Sequence, residues 1–509
     1  VTPVFQTNDD IAMSMNAHGY GNIVQGTPNL IYTNVLWGSI IRLIPNIFGV
    51  PGYSTATFLV LFISAWALLY FLRILNTSWV LACSSVALVF LPAVASPQFT
   101  VNAGLLAISS FFGLFAYFKQ KNSFYLLVSG FFAFLSYLIR DQEFFYVFLI
   151  SLPVFSWMML LKDRRIWFSG FIFLALCCVS IAAAQISYNK PEWEQFNKLQ
   201  TARIRFTDKN LSTYLINNPE EAESFGYSPN DIRLISSWFF VDQDLANPDV
   251  LNNISSQVKI IDQIHLNWNL VLEEFKIQVT WPLIYLLVFS IVFFILSQGW
   301  KTRIIYSWLI FISVLIGLGV VGHHVVSRIH YPILSFLGLY SVIKYSRKKS
   351  NVDWWVYLIL VACIGLTGLR IIKNNQSNIL IIHQLQKDVQ EIKSDKPVVA
   401  WGASFPIQYY YPVFSDVASL SFPIYQLGAN TLNPNSVANQ QEMLGQGFLN
   451  RLFSEEGFEI ISQPGLIDLL TLYCEEHYSA HLERIKMKQY SYFFVYQVRC
   501  VIPDKMKDE

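Results

Sequence analysis

Residues 53–73 read Tyr-Ser-Thr-Ala-Thr-Phe-Leu-Val-Leu-Phe-Ile-Ser-Ala-Trp-Ala-Leu-Leu-Tyr-Phe-Leu-Arg, with no charge before Arg73. A bilayer core takes roughly 17 to 25 such residues as one helix. Similar runs fall near 78–95, 99–117, 122–139, 142–161, 165–187, 279–297, 303–321, 329–345 and 353–372. The chain therefore reads as an α-helical polytopic membrane protein with about ten spans. The bulk composition agrees, with 54% hydrophobic and 14% charged residues and a mean hydropathy of +0.41. A net charge of +1 supplies no basic field for nucleic acid.

Between and around the spans lie polar blocks. The expected organisation is a first loop with an acidic pair and a juxtamembrane helix (1–52), spans (53–187), a long loop (188–278), further spans (279–372) and a small C-terminal α/β domain (373–509). Lysine and arginine bias sets the orientation. One set of connections carries Arg73, Lys119, Lys121, Lys162, Arg164, Arg165, Lys301, Arg303, Lys344, Arg347, Lys348 and Lys349, and the opposite set only Arg140 and Arg328. The first set is expected in the cytoplasm, which puts all three polar blocks outside a cytoplasmic (inner) membrane. A chain that starts outside implies a further helix ahead of Val1, for about eleven spans in all.

Segment 29–44 is apolar but short and stops at Pro45, with Asn34, Gly38 and Arg42 four residues apart. It is expected to be a helix lying along the interface. In the tail, 397–401 and 491–502 read as strands, with Phe494, Tyr496 and Val498 on one face. Segments 439–453 and 465–481 read as helices. Cys474 and Cys500 are the cysteines outside apolar runs, and an extracytoplasmic location permits a disulfide between them.

Three charged clusters fall at the same, outer level. Asp9 and Asp10 can take a proton from an attacking hydroxyl or hold a divalent cation; equally, they suit the first turn of a helix. His323, His324 and Arg328 lie at the mouth of a span, where Arg328 suits a phosphate and the histidines add donors; interfacial anchoring is the alternative. Arg140 with Asp141 and Glu143 forms the third cluster, for which an internal ion pair is the simpler reading. In the long loop, Lys198, Arg203 and Arg205 can steer an anionic headgroup or line a solvated helix face.

This layout resembles the GT-C membrane glycosyltransferases that use polyprenyl-phosphate sugars, such as protein O-mannosyltransferases and lipid A aminoarabinose transferases. An acidic pair in the first outer loop (Asp9-Asp10), a juxtamembrane helix (29–44) and then a span (from 53) follow in that order. Arg328-Ile329-His330-Tyr331-Pro332 is similar to a late-span motif of relatives, with two residues between the arginine and the tyrosine here.

The resemblance implies an inverting glycosyltransferase that moves a sugar from a polyprenyl-phosphate donor in the lipid bilayer to an extracytoplasmic acceptor: a glycolipid, glycan or protein. It implies Asp9 as general base, with Asp10 assisting or binding a divalent cation. Arg328, Arg140, His323 and His324 are implied at the donor phosphate, and Asp141 and Glu143 as further acidic groups. A non-catalytic scaffold or glycan-binding subunit of the same architecture is the rival expectation.

Overall fold

The computed structural model describes residues 1–258, 268–299, 302–321, 326–348, 353–392, 396–420 and 422–503. The first loop holds α1 (Asn8–His18) and α2 (Val35–Leu43). The helical body follows with α3 (Gly52–Ile74), α4 (Trp79–Ala95), α5 (Phe99–Gln120), α6 (Ser123–Ser151), α7 (Trp157–Lys162) and α8 (Arg164–Tyr188). The long connection folds into α9 (Glu194–Thr207), α10 (Leu211–Asn217), α11 (Pro219–Ser224), α12 (Pro229–Ser236), α13 (Pro248–Gln257) and α14 (Trp268–Ile277). The body resumes with α15 (Leu283–Leu296), α16 (Ile304–Val321), α17 (Ser327–Lys348) and α18 (Trp354–Gln390). The tail contains β1 (Val398–Trp401), α19 (Ile407–Tyr410), β2 (Ile424–Leu427), α20 (Val437–Met443), α21 (Phe448–Leu452), β3 (Phe458–Ile461), α22 (Pro464–Tyr478), β4 (His481–Gln489) and β5 (Phe494–Val501).

This is an integral membrane protein. Among the described residues, five helices are long and apolar enough to cross a bilayer: α3, α5, α6 with the turn that follows it, α8 and α18. The apolar α4, α15 and α16 are shorter by that measure. The most hydrophobic stretch of α5 is 94% buried, whereas that of α8 is 11% buried. So α5 is the axis of the bundle, and α8 turns Trp167, Phe168 and Phe171 outward to where lipid replaces water.

Helix α6 reverses direction at Arg140, whose backbone is extended. Before the break, Ser136 Oγ donates to Ala103 O at 2.7 Å. After it, Glu143 lies beside Gly104. Both sides of Arg140 thus meet α5 at one level, and 123–139 and 141–151 form a hairpin. At 37 residues, α18 is roughly 55 Å long by its rise, well beyond a bilayer core of about 30 Å. Its last third carries the tail.

The tail sheet has the order β2-β1-β3-β5-β4, parallel between β2, β1 and β3 and antiparallel from β3 to β5 and β4. Alternation along the strands splits it between two cores. Val398, Ala400, Ile424, Ile461 and Val495 face the core shared with the first loop and the bundle. Val399, Trp401, Tyr425, Ile460, Tyr496 and Val498 face the core shared with α9–α13 and α22. A disulfide joins Cys474 to Cys500.

Several local expectations need correction. The helix expected over 29–44 begins only at Val35, because Ile31 takes a left-handed conformation and Asn34 caps the helix by accepting from Leu36 N at 3.0 Å. The helix expected over 439–453 is two, α20 and α21. Between them Gly445 is left-handed, and a side chain at Gly447 would collide with Glu442. Ser479, also left-handed, ends α22 at Tyr478.

Candidate functional site

The residues around Asp9 and Asp10 are assembled from four helices. Thr7 precedes α1 in extended backbone, and both acids occupy the first turn, where negative charge suits the helix dipole. Capping by the acids themselves is not what is observed: the N-cap position is Thr7. The two carboxylates then diverge.

Asp10 is fully buried. Its Oδ1 accepts from Tyr53 OH at 2.8 Å and from Phe99 N at 3.1 Å, and its Oδ2 accepts from Thr7 Oγ1 at 3.2 Å. It therefore ties α1 to the starts of α3 and α5. Burial pushes the Asp10 carboxyl up to about 7, opposed by these hydrogen bonds and reinforced by the neighbouring Asp9 charge. At the other end of α1, His18 Nε2 accepts from Tyr53 N at 3.0 Å. Burial, and then the Arg42 charge, lower that imidazole to about 4. The start of α3 is thus held by a buried acid and a neutral histidine.

Asp9 points the other way. Its Oδ2 lies 2.8 Å from Arg328 Nη1, with the two side chains 30% and 25% exposed. Asp9 can reach a solute and Asp10 cannot. One hydrogen bond engages one of the five N–H donors of the guanidinium, so Arg328 keeps capacity for an oxyanion. Beside the pair is a narrow cleft lined by Gln6, Ser96, Trp281, Pro282, Arg328 and Tyr331.

Arg140 joins from the α6 hairpin. Its Nη1 donates to Tyr32 O at 3.3 Å and its Nη2 to Gln142 Oε1 at 3.0 Å, and its guanidinium lies 5.5 Å from the centre of the Phe99 ring. Phe99 thus serves the site twice, through its amide to Asp10 and its ring to Arg140. Arg140 lies within coulombic reach of Arg328, Glu143 and Asp9. It opens on a cavity of about 310 Å3 lined also by Tyr32, Asn34, Tyr137 and Asp141.

The internal ion pair considered for this cluster is absent among the described residues. Asp141 instead accepts from Gln142 N at 2.8 Å. Glu143 is buried, and its Oε1 has no hydrogen-bond partner. Its neighbours include Gly104, where a β-carbon would sit inside the Pro332 ring. Glycine is what lets α5 and α17 close directly beneath Arg328.

Of the expected site residues, Asp9, Arg328, Arg140 and Glu143 come together, while Asp10 lies behind Asp9 and Asp141 at the rim. His323 and His324 lie outside the described residues. Tyr53, Phe99, Thr7 and Tyr32 were not expected. The basic residues of the long loop have partners within the protein: Lys198 pairs with Glu194, Arg203 stacks on Trp238 at 4.3 Å, and Arg205 bonds to Ser255 O. Asp9 and Asp10 do not together present oxygens to one divalent cation. One oxygen of Asp9 is held by a guanidinium and both oxygens of Asp10 accept from protein donors. Among the described residues, the carboxylate and histidine group with ligand-like spacing is Asp231, Glu476 and His477, elsewhere in the polar blocks.

No family model and no curated protein matches this sequence. Among solved structures, the chain is similar to ArnT from Cupriavidus metallidurans in the apo state, at 12% identity and a TM-score of 0.37, over 97% of this chain and 93% of that one. It is also similar to the same protein bound to undecaprenyl phosphate, at 11% identity and a TM-score of 0.38, over 97% and 94%.

The other polar blocks pack on the first loop. Asn433 Nδ2 donates to Asn16 Oδ1 at 2.7 Å, and Asn16 Nδ2 to Asn430 Oδ1 at 3.3 Å. Val24 N donates to Asn435 O at 2.8 Å, and Val437 N to Asn22 O at 2.9 Å. The long connection reaches the tail through Gln200 Nε2 to Ala429 O at 2.9 Å and Tyr473 OH to Asp242 Oδ2 at 2.7 Å. The first loop, the long connection and the tail are one packed layer at the Asp9 end of the bundle.

Proposed function

We propose that the chain is an inverting glycosyltransferase that moves a sugar from a polyprenyl-phosphate carrier to an acceptor on the extracytoplasmic face of the inner membrane. The observation that supports this reading most is the Asp9–Arg328 ion pair. It sets a reachable carboxylate against a guanidinium with donors to spare, and Arg140 lies within coulombic reach.

In this reading, the lipid phosphate of the donor takes the guanidinium of Arg328, with Arg140 adding positive charge. Asp9 is released from its ion pair and becomes a base. The acceptor's O–H or N–H oxygen or nitrogen attacks the anomeric carbon as Asp9 takes its proton. The bond from that carbon to the phosphate oxygen breaks, and its electron pair leaves on the lipid phosphate, which Arg328 and Arg140 stabilise without protonating it. One displacement inverts the anomeric centre. Asp10 touches no reactant; it positions Asp9 by fixing α1 to Tyr53 and Phe99. No step passes through a metal ion.

The test is turnover of a labelled polyprenyl-phosphate sugar by the purified protein and by Asp9→Ala and Arg328→Ala. Loss of transfer in both variants with retained folding supports the reading. Equal transfer by all three overturns the roles. Glycan binding without transfer by any form would assign the chain to a non-catalytic scaffold.

A further inference from the structure

At the opposite end of the bundle, the structure presents a second polar cavity that the transfer reaction does not use. Arg328 and Arg347 are nearly a full helix apart on α17, roughly 28 Å by the helical rise. Around Arg347, the ends of α5 and α17 and the stretches 154–159 and 302–303 line an open cavity of about 760 Å3. Lys119, Arg303, Lys344 and Arg347 line it, and among the described residues no carboxylate does. Arg347 is within coulombic reach of Lys119 and Lys344, and Arg303 of Lys344. Four cations converging without an internal counter-charge repel one another, and a bound anion would relieve that repulsion.

The local contacts hold two of these cations in place without neutralising them. Lys119 Nζ donates to Ile74 O at 2.6 Å and Asn76 Oδ1 at 2.5 Å. Arg303 Nη1 donates to Phe155 O at 3.1 Å. Neutral acceptors leave the charge intact, so these side chains are oriented and still electropositive. Arg347 has no ion-pair partner among the described residues. Besides Asn76, Ser156 and Thr302, the remaining wall is apolar, with Phe115, Phe118, Val154, Met159, Tyr340 and Ile343. Cations for a phosphate and an apolar wall for a chain are the complement of a lipid headgroup and its first methylenes.

We infer that this cavity binds the phosphate of an anionic lipid in the leaflet opposite the Asp9 site. Charge bias alone would place cations at this level of the bundle. The cavity adds convergence on one volume and, among the described residues, the absence of a lining carboxylate. The inference stands independently of the transfer reaction.

The test uses the full chain in nanodiscs of phosphatidylcholine with a minor share of phosphatidylglycerol. The lipid retained after extraction is read by native mass spectrometry, with inorganic phosphate as competitor. The wild type is expected to retain phosphatidylglycerol in preference to phosphatidylcholine. The Lys344→Gln, Arg347→Gln double variant is expected to bind it about thirty-fold more weakly, roughly 2 kcal/mol, while Lys344→Arg keeps the preference. Equal retention by wild type and double variant overturns the site and leaves the cations as orientation signals. Displacement of the lipid by inorganic phosphate at comparable concentration overturns the lipid source in favour of free phosphate. Arg347 is exposed, so Arg347→Gln alone, with wild-type thermal unfolding, decides the matter if the double variant does not fold.

Discussion

Arg328 and Asp9, 319 residues apart in the chain, meet at 2.8 Å, and this contact joins the start of α1 to the start of α17. A pair this exposed contributes only about 0–1 kcal/mol to stability. In the proposed reaction, its place at the mouth of the cleft makes it an anion site occupied by the protein's own carboxylate until a phosphate competes for it.

Asp9→Asn and Arg328→Ala should therefore fail in distinguishable ways. Asp9→Asn removes the base and also the competitor for Arg328, so turnover should fall by about 10²–10⁴-fold while the donor KM stays level or drops. Arg328→Ala should lower kcat by about 10²–10³-fold and raise the donor KM. Arg328→Lys should recover part of the rate, because a lysine supplies charge without the planar fork. Thermal unfolding of all three should stay close to wild type. A rise in donor KM for Asp9→Asn would contradict the competition between carboxylate and phosphate.

Asp10 and His18 grip Tyr53 from opposite ends of α1, and their proton linkages oppose one another. Asp10 titrates near 7 in the folded protein against about 3.9 unfolded. The native state therefore holds the extra proton, and stability from this group falls as pH rises from about 4 to about 7, by something on the order of 4 kcal/mol. His18 titrates near 4 folded against about 6.5 unfolded, so its term rises as pH goes from about 4 to about 6.5. In the wild type the two largely cancel between pH 4 and 6.5. Asp10→Asn, which keeps acceptors for Tyr53 and Phe99, should leave a protein whose Tm climbs with pH across that window. His18→Gln should leave one whose Tm declines. Parallel Tm profiles for wild type and both variants would show that neither group titrates as its burial implies.

Much of this arrangement can be read from the sequence, and the parts that cannot share a cause. Adjacent carboxylates at the edge of an apolar chain, and arginines in otherwise uncharged connections, stand out because their desolvation needs a reason. Tyr53 and Phe99 do not stand out, since an aromatic at a span end reads as an interfacial anchor. Moreover, Phe99 acts partly through its backbone amide, which every residue but proline carries. The strands β2 and β3 escape because four residues buried on both faces show no alternation. The helix α18 runs past its apolar stretch through Lys373, Asn374 and Asn375, where hydropathy ends but backbone hydrogen bonding does not. Asn375 Oδ1 then accepts from Thr2 N at 2.6 Å, a contact that no local pattern announces.

The Cys474–Cys500 bridge pins α22 to β5 across a separation of 26 residues. A loop of that size corresponds to about 3.5 kcal/mol of chain entropy removed from the unfolded state. The double Cys474→Ser, Cys500→Ser variant should therefore lose stability on that order, with two hydroxyls added to a buried position. Alkylation and intact mass should show both thiols protected in the untreated wild type and both labelled after unfolding under reductant. Labelling of native, unreduced protein at these cysteines would contradict the bridge.

Asn433 is the residue through which the tail reports on the acidic loop. It is fully buried, donates to Asn16 and to Asn430, and accepts from Asn435 N at 3.0 Å. In Asn433→Ala, Asn16 Oδ1 in α1 loses its Asn433 donor and the tail turn loses its internal acceptor, at about 1–3 kcal/mol for each buried group left unsatisfied. Because Asn16 sits two turns along the helix that presents Asp9, the loss should loosen α1 rather than unfold the bundle. Hydrogen exchange should rise over residues 8–24 and 424–437 with α5 unchanged, and turnover should fall with little change in donor KM, since Arg328 and Arg140 are held by other elements. Faster exchange spread equally through α5 would mean that the amide network supports the whole fold, and unchanged exchange in α1 would mean that the tail does not hold the acidic loop at all.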